Sequence, residues 1–466
     1  MQAEGRWSHL LCLPTFCFAK VAGRCGAEKS YLCPAEGVGG NEEPGDELKP
    51  RGRLPPQNPV YCRQEDLYML KDKTVLLGVS GSIAAYKIAS LASKLVQAGA
   101  KVHMLMTKNA MNFINPITFE TLTSHKCLTD TFDRNFEYSV EHVALAKTAD
   151  VFLLAPASAN VIAKVAHGLA DDMLTTTFLA CTCPKLISPA MNTAMFENPL
   201  TQDNIALCKK YGMTVIEPAA GHLVCGDDGR GKMPEPERLF DWIDYTVGYP
   251  KDWCGKKLLV TAGPTQESLD PVRYLTNHSS GKMGYAIAKV AASRGAEVTL
   301  VSGQSSLDTP LGVQRIDVVS AKDMFDAVTK LSEKQDVIIK AAAVADYRPL
   351  SYSKEKMKKT DGELRIDLER TDDILGWLGA HRRQGQFLCG FSMETQNMVE
   401  NSRAKLEKKN LDMICANNLK MAGAGFAGDT NVVTVITRDG EKELPLLSKE
   451  EVADTLLTEI LKISKN

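Results

Sequence analysis

One kind of segment constrains the fold of this chain more than any other. Short runs that are apolar throughout end in small polar residues and are separated by helical patterns. T-V-L-L-G-V-S at 74–80, K-V-H-M-L-M-T at 101–107, V-F-L-L-A-P at 151–156 and K-L-I-S-P-A-M at 185–191 form a first series. K-L-L-V-T-A-G at 257–263, E-V-T-L-V-S-G at 297–303, D-V-I-I-K-A-A-A-V-A-D-Y at 336–347, F-L-C-G-F-S at 387–392 and D-M-I-C-A-N-N at 412–418 form a second. A strand apolar on both faces must be covered on both faces. Alternation with helices, the first spanning Ile83 to Ala98, therefore implies mainly parallel sheets between helical layers. The expected fold class is α/β, with two Rossmann-like domains and no detectable repeat between them. Between the series, G-K-M-P-E-P-E-R (231–238) reads as an exit, followed by a helix-like piece to about Val247 and a linker over 249–255. The expected domains are 69–250 and 251–466. Ser448 with Glu451 forms a capping box that starts a last helix reaching about Ile463.

The 466 residues suffice for two or three cores, and a net charge of −2 gives no basic field for nucleic acid. No apolar run approaches the ~20 residues of a membrane span. The 13 cysteines are scattered without a zinc-like spacing, as expected in a reducing cytoplasm. Residues 1–68 are rich in Gly, Pro and charge and lack periodicity, which reads as a disordered extension or an over-long start. Met69 would be a natural beginning for the periodic part of the chain.

Ligands of parallel sheets collect at strand C-termini. In the first series this brings forward Ser80, Gly81, Ser82, Thr107, Ser158 and Asn160. Gly78, Ser80 and Gly81 do not make G-x-G-x-x-G, and the second strand ends in Met106-Thr107-Lys108 with no ribose-binding acid. Hydroxyls at a helix start suit a phosphate monoester such as that of a flavin mononucleotide, with an ordinary tight turn as the other reading. In the second series, Asp270 to Gly284 (D-P-V-R-Y-L-T-N-H-S-S-G-K-M-G) looks like a P-loop. It fails the test: Thr276 stands where the first glycine belongs, five residues before Gly281, and Met283 stands where Ser or Thr belongs. An anion loop of another kind remains.

Three longer stretches sharpen this: S-V-E-H-V-A-L-A-K around His142, P-A-M-N around Asn192 and H-L-V-C-G-D-D-G-R-G-K-M around Cys225. With them, the chain from Met69 onward resembles the bifunctional phosphopantothenoylcysteine decarboxylase / phosphopantothenate–cysteine ligase family of coenzyme A synthesis. The resemblance implies a flavodoxin-like flavoprotein domain followed by a ligase domain, in reverse order to the reactions. It implies FMN as the electron sink that makes a cysteine carboxylate able to leave. His142 would move or orient a proton, Asn192 would hold the departing carboxylate, and Cys225 would donate the proton of the final reduction.

In the second half the resemblance implies that phosphopantothenate is activated by CTP to an acyl-cytidylate, from which cysteine displaces CMP. Asn277 matches the residue that binds and resolves that intermediate, and Arg273 a basic partner nearby. Lys356, in K-E-K-M-K-K, matches the lysine of a mobile loop closing over the triphosphate, which makes Lys282 secondary. Ala342, Asp346, Asp372, Asp373, Ile374, Leu375, Phe391, Lys405 and Lys409 match the remaining CTP contacts, with Asp346 near Mg²⁺. Lys405 and Lys409, four apart on an expected helix, share a face. Two departures stand out. Thr371-Asp372-Asp373-Ile374 replaces the family's Asn-Pro-Asp-Ile, and Ser82 replaces a second glycine. The resemblance also implies trimeric flavin domains, dimeric ligase domains and a cytoplasmic enzyme. A nicotinamide-dependent reductase is disfavoured by the missing fingerprint, and a non-catalytic flavin-binding regulator by the presence of His142, Asn192 and Cys225.

Overall fold

The computed structural model describes residues 70–132, 141–222, 228–358, 365–394, 396–418 and 428–464. The segment expected to be disordered (1–68) and Cys225 lie outside the described residues.

The first sheet is parallel and contains β1 (Thr74–Val79), β2 (Lys101–Met106), β3 (Val151–Ala157), β4 (Lys185–Pro189) and β5 (Thr214–Val215). Their order is β2-β1-β3-β4-β5. Alternate residues of β1 explain why the run is apolar throughout. Val75, Leu77 and Val79 pack with Ile88, Leu91 and Leu95 of helix Ala85–Gln97, whereas Leu76 joins Phe152, Leu154 and Phe178 on the opposite face. Each such burial contributes about 1.5–3 kcal/mol of transfer free energy.

The second sheet has the order 313–317, 297–302, 257–262, 337–340, 387–394, 413–418, 433–437, 441–443. The first six are parallel and the last two antiparallel. Taken in chain order, the six parallel strands stand as 3-2-1-4-5-6, the doubly wound arrangement. Strand 257–262 divides its side chains in the same way, with Leu258 and Val260 in one core and Leu259 in another.

Helix Pro236–Ile243 sends Leu239 and Ile243 into the first core, and Trp253 opens the second. Just before Trp253, Asp252 holds Arg294, which is 2% exposed, through bonds of 2.9 and 2.6 Å. The same guanidinium donates to Asp454 Oδ1 at 3.0 Å and to Thr458 at 2.9 Å, both on the last helix. That helix starts as expected: Glu451 accepts from Ser448 N–H at 2.7 Å, and Ser448 Oγ accepts from Glu451 N–H at 3.2 Å. Among the described residues, no helix is long and apolar enough to cross a membrane.

Candidate functional site

Both sheets have a point at which strand order reverses, leaving a crevice above the strand C-termini. In the first sheet it lies between β1 and β3. Ser80, expected to touch a ligand, is fully buried instead. Its hydroxyl donates to Pro156 O at 2.7 Å and accepts from Ser158 N–H at 2.9 Å, so it braces the two strand ends. Gly81 is required by close approach: a Cβ there would lie 2.7 Å from Asn109 Cβ. Thr107 is 8% exposed, and its hydroxyl accepts from Ala110 N–H at 3.3 Å. Ser158 caps helix Ala159–His167, with Asn160 exposed in its first turn, and Ser82 stands just before helix Ala85–Gln97. Two helix N-termini with small polar residues thus border the crevice, and that donor set fits an anionic phosphate.

Asn192 caps helix Thr193–Glu197, accepting from Met195 N–H at 2.9 Å. With the carboxamide oxygen so occupied, its NH₂ remains as a donor, suited to a carboxylate. A hairpin of 219–222 and 228–232 packs beside this turn: Met191 N–H donates to Gly231 O at 3.1 Å, and a Cβ on Gly229 would lie 2.4 Å from Thr193 Oγ1. The residues joining the hairpin arms include Cys225. His142 is half-buried in the first turn of helix Glu141–Thr148, which runs down to the start of β3.

The second reversal lies between strands 257–262 and 337–340, and above it is a cavity of about 440 Å³. Asn277, Ala342, Asp346, Leu375, Phe391, Lys405 and Lys409 all line it, as does Lys282. Gly281, with φ +80°, starts helix Lys282–Ser293, and a Cβ on Gly284 would lie 2.6 Å from that of Ala262. These glycines let the helix N-terminus settle directly onto the sheet. Asn277 donates one amide N–H to Ala343 O at 3.0 Å, which fixes the side chain and leaves its oxygen and second N–H for a ligand. A second cavity of about 330 Å³ shares Lys340, Val344, Asp346 and Lys409 with the first and adds Asp372, Asp373 and Ile374.

Several expected contacts have structural duties. Asp373 caps helix Ile374–His381, accepting from Gly376 N–H at 3.0 Å, and pairs with Lys409 at 2.9 Å. Burial works against its charge, but these two partners outweigh it and hold the carboxyl below its usual range. Ile374 and Leu375 are 2% and 7% exposed, so they form cavity floor and core together. Lys405 pairs with Glu394 at 2.5 Å and Lys282 with Asp429 at 2.6 Å.

Arg273 departs from expectation. Residues 266–268 and 274–276 form an antiparallel hairpin, and Asp270 is buried in its turn. Asp270 accepts from Val272 N–H and Arg273 N–H at 2.8 Å each and from Met357 N–H at 3.1 Å. The Arg273 guanidinium pairs with Asp270 at 2.8 Å and also donates to the Met357 carbonyl. Arg273 lines neither cavity; it fastens the loop carrying Lys356 to the hairpin. Burial would raise the Asp270 carboxyl, but three backbone N–H groups and Arg273 overcome that and hold it at about 2. Lys356 is exposed and lines neither cavity.

Among the described residues, no group of three or more His, Cys, Asp or Glu side chains could hold a metal ion. Asp346 belongs to no such group. The residue that sequence reasoning passed over is Lys340, a charged residue ending the apolar run V-I-I-K and lining both cavities.

The comparisons agree with this layout. Residues 63–248 match the family described as Flavoprotein, and residues 253–463 match the DNA/pantothenate metabolism flavoprotein C-terminal domain. The coenzyme A biosynthesis bifunctional protein CoaBC of Bacillus subtilis is 47% identical over 401 residues, covering 85% of this chain and 98% of that protein. Its Escherichia coli K12 counterpart is 42% identical, covering 84% of this chain and 97% of that protein. The crystal structure of the C-terminal domain of a CoaBC protein is 46% identical, covering 46% of this chain and 98% of that one, with a TM-score of 0.40. The chain is an α/β flavoprotein with a second α/β domain, and it belongs to the bifunctional coenzyme A biosynthesis protein family.

Proposed function

We propose that the second half ligates cysteine to 4′-phosphopantothenate at the expense of CTP and that the first half decarboxylates the product to 4′-phosphopantetheine with FMN. The observation that carries this reading is the convergence of Asn277, Asp346, Phe391, Lys405 and Lys409, from separate segments, on one cavity at the sheet's reversal point. In ligation, the phosphopantothenate carboxylate attacks the α-phosphorus and pyrophosphate leaves. The cysteine amine then attacks the acyl carbon and CMP leaves. Asn277 holds the acyl-cytidylate with its remaining N–H and oxygen, and the helix N-terminus at Lys282 faces the phosphates. The Lys356 loop closes over the triphosphate from its anchor at Met357.

In the first half, Ser82, Ser158 and Asn160 would hold the FMN phosphate at the two helix N-termini, while Ser80 and Gly81 set the shape of the crevice. When bound, the flavin accepts and returns an electron pair. Asn192 donates its NH₂ to the departing carboxylate, His142 moves or orients the proton at the substrate, and the Cys225 thiol protonates the enethiol carbon in the final reduction. The purified protein should be yellow, with bound FMN recoverable in about equimolar amount; a colourless protein that takes up no FMN would remove the first-half reading.

Asp270→Ala tests the anchor. It should lower ligation kcat/KM roughly 10- to 100-fold by misplacing the Lys356 loop, with decarboxylation of supplied phosphopantothenoylcysteine unchanged. Because the Asp270 carboxyl sits at about 2, below the ~3.9 of an unfolded chain, its contribution is fully present above about pH 4 and fades as pH falls through 2. Ligation measured between pH 6 and 9 should accordingly show no titration from this group.

A further inference from the structure

The lysines lining the 440 Å³ cavity are Lys282, Lys340, Lys405, Lys409 and Lys449. All but one are engaged by the protein itself. Lys282 pairs with Asp429 at 2.6 Å, Lys405 with Glu394 at 2.5 Å and Lys409 with Asp373 at 2.9 Å, and Lys449 donates to Gly428 O at 2.5 Å. The Lys340 side-chain amine has no hydrogen bond or ion pair among the described residues. Lys340 ends the strand at the reversal point, in register with Thr261 on one side and Gly390 on the other. It also borders both cavities, together with Val344, Asp346 and Lys409.

A shielded ammonium with no carboxylate at contact distance is unfavourable unless something arrives to pair with it. The groups around Lys340 come from each neighbouring element. Lys409 and Lys405 lie at the end of helix Met398–Lys408, Asp346 on the loop after its own strand, and Asp373 at the start of helix Ile374–His381. Burial first, then Lys409 and Lys405, pull the amine down to about 8 against the opposing pull of Asp346 and Asp373. Asp373 is already committed to Lys409 and to its helix cap, and Asp346, the other carboxylate facing the amine, does not come within ion-pair distance of it.

We infer that Lys340 is the cation that receives a phosphoryl oxygen of the substrate in this cavity, so that the site's charge is balanced by ligand. The inference rests on the ligase reading and adds to it a residue that contacts substrate. The phosphoryl group has two possible sources, CTP and 4′-phosphopantothenate, and the test separates them. Each is titrated by calorimetry, with Mg²⁺ present, into the full-length wild type, Lys340→Met and Lys340→Arg, with melting temperature as the folding control.

Lys340→Met should weaken one ligand roughly 10- to 100-fold, and the affected ligand identifies the source; Lys340→Arg should restore most of the loss. A second readout separates contact from mere packing. The ligand binds the ammonium form, so wild-type affinity should be level below about pH 8 and fall by up to tenfold per pH unit above it. Both variants should lose that fall, because arginine stays charged and methionine never is. Wild-type affinity for both ligands in Lys340→Met would overturn the inference. So would a weakened variant that keeps the decline above pH 8. A wild type that binds neither ligand would overturn the ligase reading, and this inference with it.

Discussion

Lys356→Gln is expected to reduce CTP-dependent ligation by about a thousandfold while decarboxylation of supplied phosphopantothenoylcysteine continues at the wild-type rate. Glutamine keeps much of the reach and the hydrogen bonding of the side chain and removes its charge. The residue is exposed on a loop tied down one position later, at Met357, by Asp270 and Arg273. Neither cavity has Lys356 in its wall, so the substitution leaves the resting pocket intact and removes what loop closure would bring. The loss should therefore fall mainly on kcat, since charge delivered on closure acts where negative charge is most crowded. Parallel assays of the two half-activities give the answer. Equal loss of both would contradict separate sites.

Cys225→Ser should still release CO₂ but accumulate the oxidised enethiol, with phosphopantetheine formation falling by at least about a hundredfold. A serine hydroxyl is a far weaker acid than a thiol, so the final protonation stops while earlier steps proceed. The hairpin arms on either side of residues 223–227 pack on the turn that carries Asn192, at Gly231 against Met191 and at Gly229 against Thr193. The turn carrying Asn192 is thus joined to the hairpin arms that flank Cys225 in sequence by one backbone hydrogen bond and one close packing contact. Chromatography of the product mixture distinguishes the outcomes, and a normal phosphopantetheine yield would refute the donor role.

The parallel strands were legible because their cores are two-sided: Val75 and Leu76 are both apolar since both faces of β1 are covered. Strands 313–317 and 433–437 were not. V-Q-R-I-D pairs at the sheet edge with one partially exposed face, and V-T-V-I-T joins antiparallel on the far side, so neither reads as a long apolar run. In the site, residue identities such as Asn277 and Phe391 followed from motif order. The division of labour among cations did not. Whether Arg273, Lys405 or Lys340 is available to a ligand depends on which carboxylates the fold brings to each. Asp270 is three residues from Arg273, but Glu394 is eleven from Lys405. Lys340 stands out only once its neighbours are seen to be matched with other partners.

Arg294 bears on how this protein can be divided for study. Its charge is held by Asp252, ahead of the second sheet, and by Asp454 on the closing helix. If Asp252 were lost, the buried guanidinium would be less well compensated, held by Asp454 and Thr458 alone. An excised ligase half that keeps all three partners begins upstream of Asp252 and runs through Thr458. A cut placed at the family match's own start, Trp253, would remove the shorter of the two ion pairs and leave Asp454 as the guanidinium's remaining carboxylate partner.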